Sequence, residues 1–273
     1  MRSLSYDVTD RITDYTHSDT TLNQHFVYNV VDQLTGFTRN SAVLNYAYDS
    51  NGNRLKKTTQ TTASFVTDYS YAAASNRLLS IATTGAPTLN VSYDTAGNTL
   101  DDGKNTYVYN ARGRLVQATS TAGTTQYSIN GLGQRVRKVT ASGETWFVYD
   151  EAGHLLGEYT SAGVPIQETV YLGDKPVAVI KGTSISYIYT DHLNAPRVIT
   201  DTANKNIWQW NADPFGVTLA DSDPDGDGVP FVYNLRFPGQ YYDVETGLHY
   251  NYFRDYNPSS GRYLESDPIG LRG

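Results

Sequence analysis

The sequence contains no cysteine, which excludes disulfides and thiolate metal sites and leaves the redox compartment open. No stretch approaches the roughly 20 apolar residues a membrane-spanning helix needs, and the N-terminal segment MRSLSYDVTDRITDYTHSDTTLNQH lacks the apolar run of a secretory signal. Positive charge is scarce as well. With 21 Lys and Arg against 28 Asp and Glu, the net charge is -7 and the isoelectric point lies near 5.1. The scattered basic residues do not form the concentrated patch that a nucleic-acid partner requires. No G-x-S-x-G, P-loop or H-E-x-x-H motif occurs, so conventional hydrolase and nucleotide sites have no support and no cofactor is expected. A 3.6-residue apolar period is also missing, which argues against amphipathic helices.

Aromatic residues are abundant, with 23 Tyr, 8 Phe and 3 Trp. Much of the apolar area therefore sits on rings, which favours strands. Several rings recur two residues apart and so share one strand face: Tyr46 with Tyr48, Tyr69 with Tyr71, Tyr107 with Tyr109, Phe147 with Tyr149, Tyr187 with Tyr189, and Trp208 with Trp210. Stacked hairpins would align these pairs into ladders.

A short unit repeats along the chain: an aromatic, Asp or Asn, two loose positions, then Gly or Asn before a basic or apolar run. Tyr48-Asp49-Ser50-Asn51-Gly52-Asn53-Arg54-Leu55 is the clearest copy. Others begin at Tyr71, Tyr93, Tyr109, Ile129 and Tyr149, with spacings of 16 to 23 residues, the length of two short strands and two turns. The Asp or Asn can accept hydrogen bonds from backbone amides further along the turn, and the Gly supplies positive φ. Each unit reads as one β-hairpin, and the chain as an all-β array of antiparallel hairpins.

This unit resembles the YD repeat of the Rhs and teneurin families over about residues 28 to 175. Thr190-Asp191-His192-Leu193-Asn194-Ala195-Pro196-Arg197 is similar to the element that opens the Rhs repeat-associated core, with Asn194 in place of Gly. The segments 234–243, 245–256 and 261–263 with Asp267-Pro268-Ile269-Gly270-Leu271 resemble the remainder of that core. The resemblance implies a spiralling, hollow β-shell, related to the toxin-complex C proteins, that encloses a toxin encoded directly downstream. It divides the chain into an incomplete or edge repeat at 1–27, a YD-hairpin array at 28–190, and a closing core module at 191–273. The chain begins in mid-pattern, which points to a fragment or a truncated product of a bacterial polymorphic toxin.

The resemblance also implies autoproteolysis by an aspartyl dyad matching Asp255 and Asp267, with Arg254 beside it. Two carboxyls held close cannot both ionise comfortably, so one keeps a proton while the other acts as base. In a straight strand Arg254 and Asp255 point to opposite faces, so a turn must bring these groups together. The plainer alternative is that both aspartates shape turns ahead of Pro258 and Pro268. The family's cut follows a second Asp-Pro-x-Gly-Leu element, and these residues contain neither that element nor a toxin, so self-cleavage of this chain is not expected.

Asp221, Asp223 and Asp225 with Gly226 match the opening of a calcium loop, and Asp227 adds a carboxylate, but Val232 stands where the bidentate Glu belongs. An acidic surface loop over 221–230 explains the same residues. His192 reads as a structural histidine. The expected partners are the remainder of the shell, a C-terminal toxin cargo and a secretion machinery, with no nucleic acid and no membrane span. The expected location is secreted or at the cell surface, cytoplasmic before export. Two rival readings are a carbohydrate- or surface-binding aromatic module, which needs exposed rings, and an aspartyl protease acting on another chain, which needs the dyad in an open cleft.

Overall fold

The computed structural model describes residues 2–267. It forms two compact units, Met1–Ser92 and Tyr93–Gly273. The first carries a nine-stranded antiparallel sheet whose strands follow chain order from Arg2–Tyr6 to Leu89–Asn90. In the second, a thirteen-stranded sheet runs in chain order from Ser92–Tyr93 to Asn206–Gln209, and a separate four-stranded sheet is made by Tyr241–Asp243, Leu248–Asn251, Arg254–Asn257 and Arg262–Tyr263. Among the described residues no helix is long and apolar enough to cross a membrane. The all-β hairpin architecture expected from the repeat is thus the one observed. Strands of the same kind already occupy residues 2–28 and continue past residue 190 to Gln209, and the compact units divide inside the stretch read as one array.

The turns explain the repeat. Asp49 Oδ1 accepts from the amides of Asn51 at 2.9 Å and Asn53 at 2.8 Å, while Gly52 adopts φ 83° to close the loop. The same pair of bonds is made by Asn110, Asn130, Asp191, Asp201 and Asp213, so the turn at Asp191 is one more member of the series. There Asn194 replaces Gly at φ 64°, a left-handed conformation that Asn tolerates.

Where a tyrosine stands immediately before the turn, as at four of these repeats, it has a second task. Its hydroxyl donates to a backbone carbonyl on the neighbouring hairpin: Tyr48 to Leu34 at 2.8 Å, Tyr71 to Arg54 at 3.0 Å, Tyr109 to Thr99 at 2.7 Å and Tyr149 to Arg135 at 2.9 Å. These four repeats are therefore each tied to the preceding hairpin by a bond outside the strand ladder. The ring two residues earlier is buried, as at Tyr46, Tyr69, Tyr107 and Phe147.

The pair Tyr187 and Tyr189 departs from the expected ladder, because both rings are exposed while Ser186 and Ile188 are buried. The cause is parity. Thr190 intervenes between Tyr189 and Asp191, and one extra residue moves a strand's side chains to the opposite face.

The C-terminal sheet packs on the buried face of the thirteen-stranded sheet. Leu248 and Leu264 join a cluster with Tyr107, Leu115, Ala118 and Tyr127. Tyr241 and Tyr250 join Phe147 and Leu155, and a third cluster gathers Trp208, Trp210 and Tyr233 around Val179, Ile188 and Ile199. Fully burying each such side chain contributes about 1.5–3 kcal/mol, so these clusters hold the module in place.

Candidate functional site

Two tight turns build the acidic site. The first, at Tyr252 and Phe253, reverses the chain between Leu248–Asn251 and Arg254–Asn257, with Tyr252 at φ 54°. In the second, the Gly261 amide donates to the Asn257 carbonyl at 2.8 Å and Asn257 Oδ1 accepts from the Ser259 amide at 3.0 Å. The returning chain then lies beside Arg254–Asn257, with the Leu264 amide donating to the Asp255 carbonyl at 2.9 Å. The Leu264 carbonyl in turn accepts from the Thr99 amide at 2.8 Å, and Ser266 Oγ donates to the Ala96 carbonyl at 2.7 Å. The acidic segment is therefore tied to the strand Thr99–Asp101 and the turn preceding it.

Strand alternation sends Arg254 and Asp255 to opposite sides, as expected. Asp255 is buried, and its amide donates to Glu265 Oε2 at 2.7 Å. Glu265 is buried as well, and its Oε1 has no hydrogen-bond partner among the described residues. Asp267 meets Arg254 instead, with Nη1 to Oδ2 at 3.1 Å and side-chain exposures of 28% for the arginine and 42% for the aspartate. The Arg254 guanidinium lies over the Tyr263 ring at 4.0 Å from its centroid. The structure thus sets Glu265 against Asp255 and Asp267 against Arg254. Residues 268–271 of the second acidic turn lie outside the described residues.

Burial governs the electrostatics. Loss of hydration pushes the Asp255 carboxyl up to about 6, a rise opposed by the Arg135 charge, strengthened by Asp243 and opposed again by hydrogen bonding to Glu265 and by Arg114. Glu265 is held well above the usual carboxylate range, first by burial and then by the Asp255 charge beside it. One proton shared between two buried carboxyls is the state this environment favours. A groove of about 710 Å³ opens next to the pair, lined by Glu265, Ser266, Asp267, Phe253, Arg112 and Arg114 among others.

Beneath the site, Arg135 is caged by four rings, with its guanidinium 4.3 Å from the Tyr250 centroid, 4.8 Å from Tyr127, 5.3 Å from Tyr241 and 5.5 Å from Phe147. Its Nη1 lies 2.5 Å from Asp243 Oδ2, and Lys138 Nζ donates to Asp243 Oδ1 at 3.2 Å. Burial works to raise the Asp243 carboxyl, and the Arg135 and Lys138 charges overcome it and hold it below the usual range.

In the acidic loop, carboxylate oxygens of Asp223, Asp225 and Asp227 lie within 4.8 Å of one another. Most of this geometry is turn chemistry: Asp221 accepts from the Asp223 amide at 3.2 Å, Asp223 from the Asp227 amide at 3.0 Å and Asp227 from the Val229 amide at 2.8 Å. Lys205 Nζ sits 2.8 Å from Asp225 and neutralises it.

Antiparallel hairpins with Tyr-to-carbonyl ties, covered by a small C-terminal sheet, define a β-shell protein of the YD-repeat class. The teneurin YD-shell family model matches residues 1–270, and the chain belongs to that family. It is similar to the double-stranded DNA deaminase toxin A of Burkholderia cenocepacia, 41% identical over 101 residues that make up 34% of this chain and 6% of that protein. Toxin protein Tse5 of Pseudomonas aeruginosa is 37% identical over 89 residues, 33% of this chain and 6% of that one. The tRNA3(Ser)-specific nuclease WapA of Bacillus spizizenii is 29% identical over 237 residues, 82% of this chain and 9% of that protein. The matched region is thus a small fraction of each relative. Among solved structures, the crystal structure of TcdB2-TccC3-Cdc42 superposes with TM-score 0.65 at 18% identity, over 99% of this chain and 17% of that one, which shows a shared fold.

Sequence reasoning missed Glu265. Its one signal was a position two residues before Asp267, where a carboxylate reads as ordinary surface charge.

Proposed function

We propose that the chain is the C-terminal portion of an Rhs-type, toxin-encapsulating β-shell whose closing module carries an aspartyl self-processing site formed by Asp255 and Asp267, with Arg254 beside them. The observation that carries the self-processing reading is that Asp267 lines a groove with Arg254 Nη1 3.1 Å from its Oδ2, while burial keeps the Asp255 carboxyl on the neighbouring strand protonatable. Such a pair suits peptide hydrolysis. The ionised carboxylate takes a proton from water as the water oxygen attacks the scissile carbonyl carbon, and the protonated member gives its proton to the leaving amide nitrogen. The partners in this reading are the remainder of the shell and a toxin cargo joined downstream, with export through a secretion machinery.

The chain is to be extended by a second Asp-Pro-x-Gly-Leu element and a reporter domain, and incubated. Release of the reporter is expected, and Asp255→Asn should abolish it. Undiminished release by that variant would remove Asp255 from the reaction. The sugar-binding alternative loses its main support, because the rings two residues before the turns, such as Tyr107, are buried and Tyr109 gives its hydroxyl to the Thr99 carbonyl.

A further inference from the structure

Rings such as Tyr107 and Phe147 are buried beneath the C-terminal sheet, but the opposite face of the thirteen-stranded sheet carries rings of its own. Of the three tryptophans, Trp208 and Trp210 are 1% and 0% exposed, whereas Trp146 is 41% exposed. Arg137, Trp146 and Tyr159 stand directly opposite one another on three neighbouring strands, so their side chains form one row on that face. Neighbouring strands lie about 4.8 Å apart, which sets the two rings side by side.

Both rings are held by their polar edges. Trp146 Nε1 donates to Glu144 Oε1 at 2.5 Å, and Arg137 grips the same carboxylate through Nε at 2.7 Å and Nη2 at 2.9 Å. The Tyr159 hydroxyl donates to Glu168 Oε1 at 2.5 Å. A Cβ on Gly157 would fall 2.7 Å from Tyr159 Cε2, so the lack of a side chain there lets the tyrosine ring lie across the strand. Covering a mid-strand glycine accounts for Tyr159 alone. It gives no reason for a tryptophan fixed beside it with its indole in water.

We infer that Trp146 and Tyr159 form a stacking platform for an uncharged, β-linked glycan chain. A pyranose whose hydroxyls are equatorial has an apolar C–H face and a polar rim. The two rings meet the apolar face, and because they are already fixed they lose little rotamer freedom on binding. At the rim, Glu168 Oε2 has no partner among the described residues and can accept from a sugar hydroxyl, while Arg137 Nη1 can donate to one. Val148, 46% exposed and two residues beyond Trp146 on the same face, extends the apolar surface. With one guanidinium against the two carboxylates Glu144 and Glu168, on a chain of net charge -7, the row repels an acidic polysaccharide and suits a neutral one.

The 273-residue chain, ¹⁵N-labelled at its three tryptophans, is titrated by NMR with cellohexaose and with chitohexaose, and with polygalacturonate as the acidic comparison. At least one neutral hexasaccharide is expected to shift the Trp146 indole signal saturably while those of the buried Trp208 and Trp210 stay in place. By calorimetry, Trp146→Ala and Tyr159→Ala should each weaken that binding by about tenfold or more. No saturable shift by either hexasaccharide up to about 10 mM overturns the inference. So does a response to polygalacturonate alone, or a Trp146 shift that follows protein concentration, which would make this face a contact between two copies of the chain. Undiminished affinity in both variants overturns it as well. Should the variants fail to fold, the indole titration of the unsubstituted chain still decides. Self-processing plays no part in this inference, so failed reporter release would leave it standing.

Discussion

Arg135 and Asp243 form an ion pair with Nη1 to Oδ2 at 2.5 Å and side-chain exposures of 2% and 1%, joining the hairpin array to the module that covers it. The remaining nitrogens of the arginine, Nε and Nη2, find no acceptor among the described residues and lie among four aromatic faces. A desolvated cation of this kind is tolerated where a carboxylate and ring quadrupoles replace its water.

Removing the cation should therefore be severe. Arg135→Met leaves Asp243 buried with Lys138 as its one remaining cationic contact, and a loss of about 3–5 kcal/mol is expected on urea unfolding. A loss below about 1 kcal/mol would show that the pair contributes little to docking of the module.

The tyrosine ties between hairpins predict a contrast within one residue type. Tyr109→Phe removes the donor to the Thr99 carbonyl and should cost about 1–2 kcal/mol. Tyr187→Phe, on an exposed ring, should change stability by no more than about 0.5 kcal/mol. Equal effects in thermal unfolding would mean that the ties carry no energy.

His249 should set an acid limb. Burial holds its imidazole down from 6.5 to about 4, helped by the Arg236 charge, and its Nδ1 lies 2.6 Å from Gln240 Oε1. Between these two values the unfolded chain binds more protons than the folded one, so stability falls as pH drops through the window. Over about 2.5 units the contribution approaches about 3 kcal/mol. His249→Gln should flatten this limb in urea midpoints measured across pH, and an unchanged slope would contradict the assignment.

Asp255 predicts the opposite sign. Its folded value near 6 lies above the ordinary 3.8, so the folded chain binds more protons in that window and stability is lost as pH rises through it. Asp255→Asn should therefore stabilise the protein at about pH 8, by up to about 3 kcal/mol, with a gain that vanishes towards about pH 4. A destabilised variant at the higher pH would mean that the Arg135 charge outweighs burial.

Much of the fold was legible because β-hairpins announce themselves locally. The Asp or Asn and Gly of each turn act within five residues of chain, and the aromatic alternation needs no distant partner, so Asp49 and Gly52 were readable from their own neighbourhood. Tyr187 and Tyr189 share one strand face as read, but it is the exposed face, since Thr190 fills the slot the tyrosine holds elsewhere. At the acidic site, the alternation of Arg254 and Asp255 was readable, whereas the partner of each was not.

By itself the sequence determined an all-β hairpin array, its turn chemistry and the location of the acidic segments near the C-terminus, because all of these follow from short-range backbone preferences and a period of two. Only the tertiary structure decided which carboxyl meets Asp255. That choice depends on the turn at 257–261, on the pairing of Leu264 with Asp255, and on the tie of Leu264 to Thr99 across the module. Burial then raises the Asp255 and Glu265 carboxyls together, while Asp267, two residues on, reaches the surface and Arg254.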